Sequence, residues 1–208
     1  MATLIATERY DLNEMGVRGR TPLSWAAAKR HEEVVRILLG WKEVDPNKPD
    51  PYGNTPLLLA AEAGHEGVVK ILLEREEVNP DKPNADGQTP LSLAAAVGRE
   101  GVVKILLERE EVNPDRPDNT GRTPLSHAAA GGEGELVKIL LEREEVKPYN
   151  PDNGGRTPLS YACWWGHEEV VKIILGRKEA NPYRRDSTGR TPLMWAPGWF
   201  HQRMKTLQ

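Results

Sequence analysis

The sequence predicts an all-α solenoid in which stacked helix–turn–helix units are joined by long, hairpin-like connections. Three observations carry that prediction. A Thr-Pro pair recurs as Thr21-Pro22, Thr55-Pro56, Thr89-Pro90, Thr123-Pro124, Thr157-Pro158 and Thr191-Pro192, a step of 34 residues each time. A glycine stands two residues before each threonine, from Gly19 to Gly189. The run EGVVKILLEREEVNPD occurs verbatim at 66–81 and at 100–115. A fixed period of this size marks a stacked repeat with one continuous core, so the 208 residues read as a single domain. Residues 21–54, 55–88, 89–122, 123–156 and 157–190 are full units, 1–20 a partial N-terminal unit and 191–208 a degenerate C-terminal cap.

Within one unit the elements follow in order. Gly87 occupies a tight turn that requires a positive φ. Thr89 is placed to cap a helix, and Pro90 fits its first position, where a missing N–H costs nothing. Leu91, Ala94 and Ala95 share one helical face, and the alanines let a neighbouring helix approach closely. Gly98 ends this helix in the left-handed conformation. A second helix is predicted over 100–110, with Val102, Val103, Ile105, Leu106 and Leu107 on a broad apolar face and Glu100 paired with Lys104 outside. Val112 then turns inward, and Asn113-Pro114-Asp115-Arg116-Pro117-Asp118 cannot continue a helix.

The pattern GxTPLSxAAxxGHExVVKILL resembles the ankyrin repeat, whose usual motif opens T-P-L-H-x-A, and the resemblance covers nearly the whole chain. It implies an L-shaped unit whose loops project as fingers and whose first helices line a concave groove. The chain departs from the usual pattern in three ways. Ser24, Leu58, Ser92, Ser126, Ser160 and Met194 replace the customary histidine, the glycine usual after the second helix is missing from Glu74-Arg75-Glu76-Glu77, and the period is 34 where 33 is typical. These features are similar to the repeats of fungal ankyrin proteins, some of which follow nucleotide-binding signalling domains.

Local departures carry their own expectations. Residues 2–9 fit the end of a second helix whose partner is missing. Repeat one places Arg30 where a left-handed glycine belongs, at a cost of roughly 1–2 kcal/mol unless the turn changes form. Gly131-Gly132-Glu133-Gly134 should make repeat four the loosest joint. In the last unit Pro197-Gly198 stops the first helix, and Met204 and Leu207 are what remains of the second. Trp195, Trp199 and Phe200 either fold back over the last core layer, the favoured arrangement, or meet a continuing stack.

Composition narrows the function. A net charge of −3 and a pI near 6.0 argue against nucleic acid as the main partner. No run of 18 apolar residues occurs, so no membrane span is readable, and residues 1–15 lack the features of a secretory signal. The lone Cys163, with no glycosylation acceptor, suits a reducing, cytoplasmic location. Cys163 replaces the second alanine of the helical pair, so it reads as a small buried hydrophobe. His31, His65, His167 and His201 share one phase a repeat apart, so they cannot converge on a metal and read as turn histidines bonding local backbone. His127 holds a semi-buried phase and reads as a hydrogen-bonded core histidine. The repeated Glu-Arg-Glu-Glu reads as a solvated face. No nucleophile, phosphate-loop or dinucleotide motif is present, so neither catalysis nor a cofactor is expected.

Recognition is sought where the copies differ. Arg122, Arg156 and Arg190 hold the same tip position in three consecutive repeats. Aromatic residues are absent from 53 to 148 and then gather as Tyr149, Tyr161, Trp164, Trp165, Tyr183, Trp195, Trp199 and Phe200. Trp, Tyr and Arg are enriched at interface hot spots. Trp164 and Trp165 cannot both enter one core layer from adjacent helical positions. The expected function is protein–protein interaction by a monomer, with Trp164, Trp165, Tyr149, Tyr183, Arg122, Arg156 and Arg190 as the contact set. A ligand-sensing region cut from a larger signalling protein, or an engineered or structural stack without a ligand, are the alternatives.

Overall fold

The structure is a computed structural model and describes residues 11–198. Among these are ten α-helices and no strand. They pair as α1 (Pro22–Ala28) with α2 (Glu32–Leu39), α3 (Pro56–Ala63) with α4 (Glu66–Leu73), and α5 (Pro90–Ala96) with α6 (Glu100–Leu107). Then α7 (Pro124–Gly131) pairs with α8 (Gly134–Leu141), and α9 (Pro158–Trp165) with α10 (Glu168–Leu175). Each first helix opens as the sequence requires: proline sits at its start and the preceding threonine accepts from the N–H three residues on, at 3.1 Å in Thr21–Ser24 and 3.2 Å in Thr89–Ser92. In repeats three and five the serine hydroxyl also accepts from the threonine N–H, closing a reciprocal cap. That is the role a serine can fill at this phase.

The inter-helix turns are left-handed, with Gly64, Gly98, Gly132 and Gly166 at φ between 71° and 79°. Arg30 keeps that form at φ 60°, so repeat one carries the strain and does not change its turn. The glycines of repeat four do not shorten its helices: α7 and α8 each have eight residues, as α9 and α10 do. The second helix of repeat three ends at Leu107, short of the predicted Glu110. Two successive turns, Arg109 N–H to Leu106 O and Val112 N–H to Arg109 O, swing the chain so that Val112 enters the core.

First helices pack on first helices and second on second, giving two layers with one core between them. Leu91, Ala94, Ala95, Val103 and Leu106 are fully buried, as are their counterparts in repeats two, four and five; in repeat one Leu38 is only partly buried. Polar bonds between neighbouring units complete the joints. The finger amides of Ala85, Asn119, Asn153 and Ser187 each donate, at 2.9 Å, to Tyr52, Asp86, Thr120 and Gly154 O of the preceding finger. Two sequence expectations are corrected here. His65 and His167 bond not local backbone but Ala28 O and Ala130 O of the unit before, at 3.2 and 3.0 Å, and Arg99 replaces them by donating to Glu62 O. The Glu-Arg-Glu-Glu run is not simply a solvated face. Arg109 and Arg143 of that run, and Arg177 at the same phase of repeat five, reach back to Leu73, Leu107 and Leu141 O, satisfying helix-end carbonyls that have no partner of their own.

At the C-terminal end the sixth unit opens as a 3₁₀ turn, Pro192–Trp195, and Thr191 makes no side-chain cap where Met194 replaces serine. Trp195 turns back onto Trp164 of repeat five. Residues 2–9, Trp199, Phe200, His201, Met204 and Leu207 lie outside the described residues.

The finger glycines provide a test of how joints constrain the chain. Gly121 has φ 85°, and a Cβ there would lie 2.6 Å from the Asn153 N that makes the finger bond. Gly189 has φ 82° with nothing within 4 Å of that Cβ. Gly189→Ala should therefore lose only the backbone cost, about 1–2 kcal/mol, and Gly121→Ala clearly more. Urea unfolding of the two variants measures the difference, and equal losses would contradict it.

Candidate interaction surface

The first-helix face and the finger tips share a row of carboxyl and amide groups at Asp50, Asn84, Asp118, Asp152 and Asp186. Each uses one oxygen to close its own turn: Asp118 Oδ1 accepts from Thr120 N at 2.8 Å and Arg122 N at 3.0 Å, and Asp152 Oδ1 from Gly154 N and Arg156 N, both at 2.8 Å. The second oxygen faces the residue nine positions on, in the first helix. There Asp118 meets His127 Nε2 at 2.9 Å, Asp152 the Tyr161 hydroxyl at 2.5 Å and Asp186 the Trp195 Nε1 at 2.7 Å. Where that helix position is Leu93, the finger carries neutral Asn84. Where it is Leu59, Arg20 of the preceding unit supplies the donor to Asp50 at 3.3 Å. A buried carboxylate oxygen is thus never left facing leucine alone, as the cost of an unpaired charge demands.

Electrostatics follow from these bonds. Burial pushes the Asp118 carboxyl up, but hydrogen bonds from Thr120, Arg122 and His127 outweigh it and hold the group below its usual range. Asp152 is lowered in the same way by Tyr161 and Arg156, and Asp186 is held down to about 2 by Thr188, Arg190 and Trp195. Burial lowers His127, with Asp118 opposing, so the imidazole is neutral at pH 7, the hydrogen-bonded core histidine expected. Burial and then Asp152 push the Tyr161 phenol up to about 12. Cys163 is fully buried and its thiol is pushed up to about 12, so it is inert packing.

The three tip arginines are not a row of free charges. Arg122 donates to the Tyr161 hydroxyl at 2.8 Å and lies 4.6 Å over its ring, while Arg156 lies over the same ring at 5.4 Å and grips Asp152 through two nitrogens. Arg190 is the exposed member, 4.5 Å over Trp195. Trp195 stacks on Trp164 at 4.6 Å with 9° between planes, and Trp164 meets Trp165 at 6.5 Å and 18°. A guanidinium and three indoles therefore follow one another at the end of α9. Neither Trp164 nor Trp165 enters the core: they are 40% and 61% exposed. Trp164 does both things the sequence allowed, packing on the last unit and keeping a free edge.

Tyr149 and Tyr183 lie elsewhere. Both fall at the phase of Asn47, Asp81 and Asp115, where the second helix hands over to the finger. Tyr149 lines a shallow cleft with Leu141, Arg143, Lys147, Arg177 and Glu179, and Tyr183 is 80% exposed. The second helix is eight residues, about 12 Å, so this handover sits a helix length from the inter-helix turn beside Trp165. The seven expected contact residues thus form two groups. The finger carboxylates escaped sequence reading: Asn84 precedes Leu93 by nine residues, but Asp50 precedes Leu59 at the same spacing, so the pairing is not legible without the Arg20 contact. Among the described residues no group of three or more His, Cys, Asp or Glu is placed to hold a metal, and no helix is long and apolar enough to cross a membrane.

Comparison with known proteins agrees with this geometry. A family model described as ankyrin repeats (3 copies) matches residues 1–84, 38–118, 69–152, 110–186 and 148–202. Among solved structures, the ankyrin repeat domain of Bcl-3, described as a unique member of the IkappaB protein family, superposes with a TM-score of 0.82 at 25% identity, covering 98% of this chain and 90% of that one. A search of curated proteins gave no match.

The finger-carboxylate rule is testable by a double-mutant cycle. His127→Leu strands one Asp118 oxygen and should cost about 1–3 kcal/mol. Adding Asp118→Asn recreates the Asn84/Leu93 pairing and should recover at least half of that loss in urea unfolding, whereas additive losses would contradict the rule. Since the folded His127 pKa is lowered, wild type should also lose stability relative to the double variant as pH falls below 6.5.

Proposed function

This chain belongs to the ankyrin-repeat family, and we propose that it acts as a non-catalytic module that binds a protein partner at the C-terminal end of its groove. Family membership supports the interaction role, because ankyrin repeats are generally protein-interaction modules. The observation that carries the location is the exposed indole column, Trp164 and Trp165 on Trp195, with the Arg190 guanidinium over its inner end. Large aromatic edges on a rigid helix end lose little side-chain freedom on binding and supply the desolvated centre of a hot spot. The rest of the first-helix row offers no such anchor: its exposed members at the same phase are Lys29, Val97 and Gly131.

Arg190, Arg184 and Arg185 are exposed on and beside the last finger, so the partner segment pairs an apolar anchor with acidic flanks. Arg122 and Arg156 contribute less, because Tyr161 and Asp152 already hold them. Tyr149 and Tyr183 form a separate contact at the handover between second helix and finger. The binding unit is a monomer in a reducing, cytoplasmic setting, a reading supported by the single buried cysteine.

The test compares partner capture by the wild-type chain, Trp165→Ala, and the control Tyr52→Ala on a distant exposed finger, all checked for unchanged helicity. Loss of a hot-spot tryptophan, about 2 kcal/mol or more, should weaken the captured partner roughly thirtyfold, with the control unaffected. Equal affinities for all three chains would overturn the location. Capture dominated by nucleic acid with a steep salt slope would overturn the partner class.

A further inference from the structure

The handover between second helix and finger repeats one polar clip along the stack, and its chemistry changes midway. Asn13 and Asn47 each bridge to the next unit with both ends of their amide. Their Oδ1 accepts from Asp45 N at 2.8 Å and Asn79 N at 3.0 Å, and their Nδ2 donates to Glu43 O at 2.6 Å and Glu77 O at 2.5 Å. The next two positions at this phase are Asp81 and Asp115, and after them Tyr149 and Tyr183. An aspartate has the shape of asparagine but, when ionised, no donor. The accepting half of the clip persists: the Asn113 amide acts on Asp81, and Lys147 N–H donates to Asp115 Oδ2 at 3.4 Å. The donating half does not. Asp81 Oδ1 and Asp115 Oδ1 are buried and have no hydrogen-bond partner among the described residues.

The two aspartates differ in how their charge is met. Arg116 donates to Asp81 Oδ2 at 2.9 Å and to Asp81 O at 3.2 Å. At Asp115 the equivalent residue is Asn150, whose amide reaches Oδ2 at 2.6 Å without bringing a charge. Lys147 of the next connection is the charged side chain acting on Asp115, and Arg116 the one acting on Asp81. We propose that Asp115 makes the joint between repeats three and four a proton-binding clip: when protonated, its carboxyl donates to Glu145 O, completing the bridge that Asn13 and Asn47 make permanently at the N-terminal joints. Asp81 is its counterpart, compensated by the Arg116 guanidinium.

By the register of the Asn13 and Asn47 clips, whose amides reach Glu43 O and Glu77 O, the unpartnered Asp115 Oδ1 falls opposite Glu145 O. A bare carboxylate oxygen set against a backbone carbonyl repels it and leaves both unsatisfied, while a carboxylic acid donates across the same gap. Burial raises both carboxyls, and Asp115, without a guanidinium, is pushed up to about 6. A raised carboxyl pKa favours the protonated folded state. This joint therefore tightens as pH falls through about 6, and its penalty grows from the unfolded value of 3.8 up to that point and is constant above it. His127 titrates with the opposite sign, losing stability below 6.5, so the whole-protein profile alone does not isolate Asp115.

Two measurements on the full chain do isolate it. Side-chain carbonyl NMR of the folded wild type should show Asp115 ionising near pH 6, well above Asp118. Asp115→Asn installs the missing donor and should raise the Tm at pH 7.5 by about 3–6 °C. The gain should shrink to about a third at pH 4.5, where wild-type Asp115 is largely protonated. Asn47→Asp should do the reverse, lowering Tm at pH 7.5 and less at pH 4.5. An Asp115 midpoint near 4, or an Asp115→Asn effect that is absent or independent of pH, overturns the proposal.

Discussion

Every unit of this chain leaves polar backbone groups that only its neighbour can satisfy, and the architecture depends on that dependence. Short helices of seven or eight residues expose a large share of their terminal carbonyls and amides. Within one unit the threonine caps take care of the entrance, but the exits are covered from outside. Arg109 covers Leu73 O, His65 covers Ala28 O, and the Ala85 amide covers Tyr52 O. The apolar faces add the bulk of the stabilisation, and alanine pairs allow the close approach, yet those alone would tolerate sliding. The polar bonds repeat at fixed offsets of about one period, so they set the register as well as the spacing.

The same logic explains where charge is tolerated. A finger aspartate is present where a histidine, tyrosine, tryptophan or arginine donates to its inner oxygen, and an asparagine stands where leucine faces it. The handover phase departs from this rule at Asp81 and Asp115. Arg116 offsets one of them and nothing cationic of that kind offsets the other. Towards the C-terminal end both series give way to aromatics: tyrosine and tryptophan take over as the carboxylate donors, and Tyr149 and Tyr183 stand at the clip positions. The N-terminal units are spent on stacking, and the last ones present large side chains at their edges. The indole column belongs to this change, since Trp195 serves Asp186 on one side and stacks on Trp164 on the other.

Much of this was legible in the sequence because it is local. Thr89 and Pro90 start a helix, Gly98 turns it, Val112 is buried and Cys163 packs as alanine does, each for reasons contained within a few residues. The end of the second helix was overestimated by three residues because Glu108 to Glu110 are good helix formers, while burying Val112 demands an earlier turn. What escaped were bonds spanning a whole period. His65 reads as bonding its own turn and Arg109 as solvent-facing until the preceding unit is laid beside them. Tyr149 and Trp165 look like one aromatic cluster until the helix between their ends is given its length. Asp118 with His127 and Asp152 with Tyr161 stand nine residues apart in the sequence, but that spacing gains meaning only once nine residues are seen to bring a fingertip back to the helix.

The most direct measurement of this neighbour dependence is urea unfolding of arrays of one, three and five of the 34-residue units, residues 89–122, 55–156 and 21–190. If the joints hold the fold, the single unit shows no cooperative transition, and midpoint and m-value both rise with each unit added. A cooperative transition in the isolated unit, or a midpoint independent of unit number, would contradict the account.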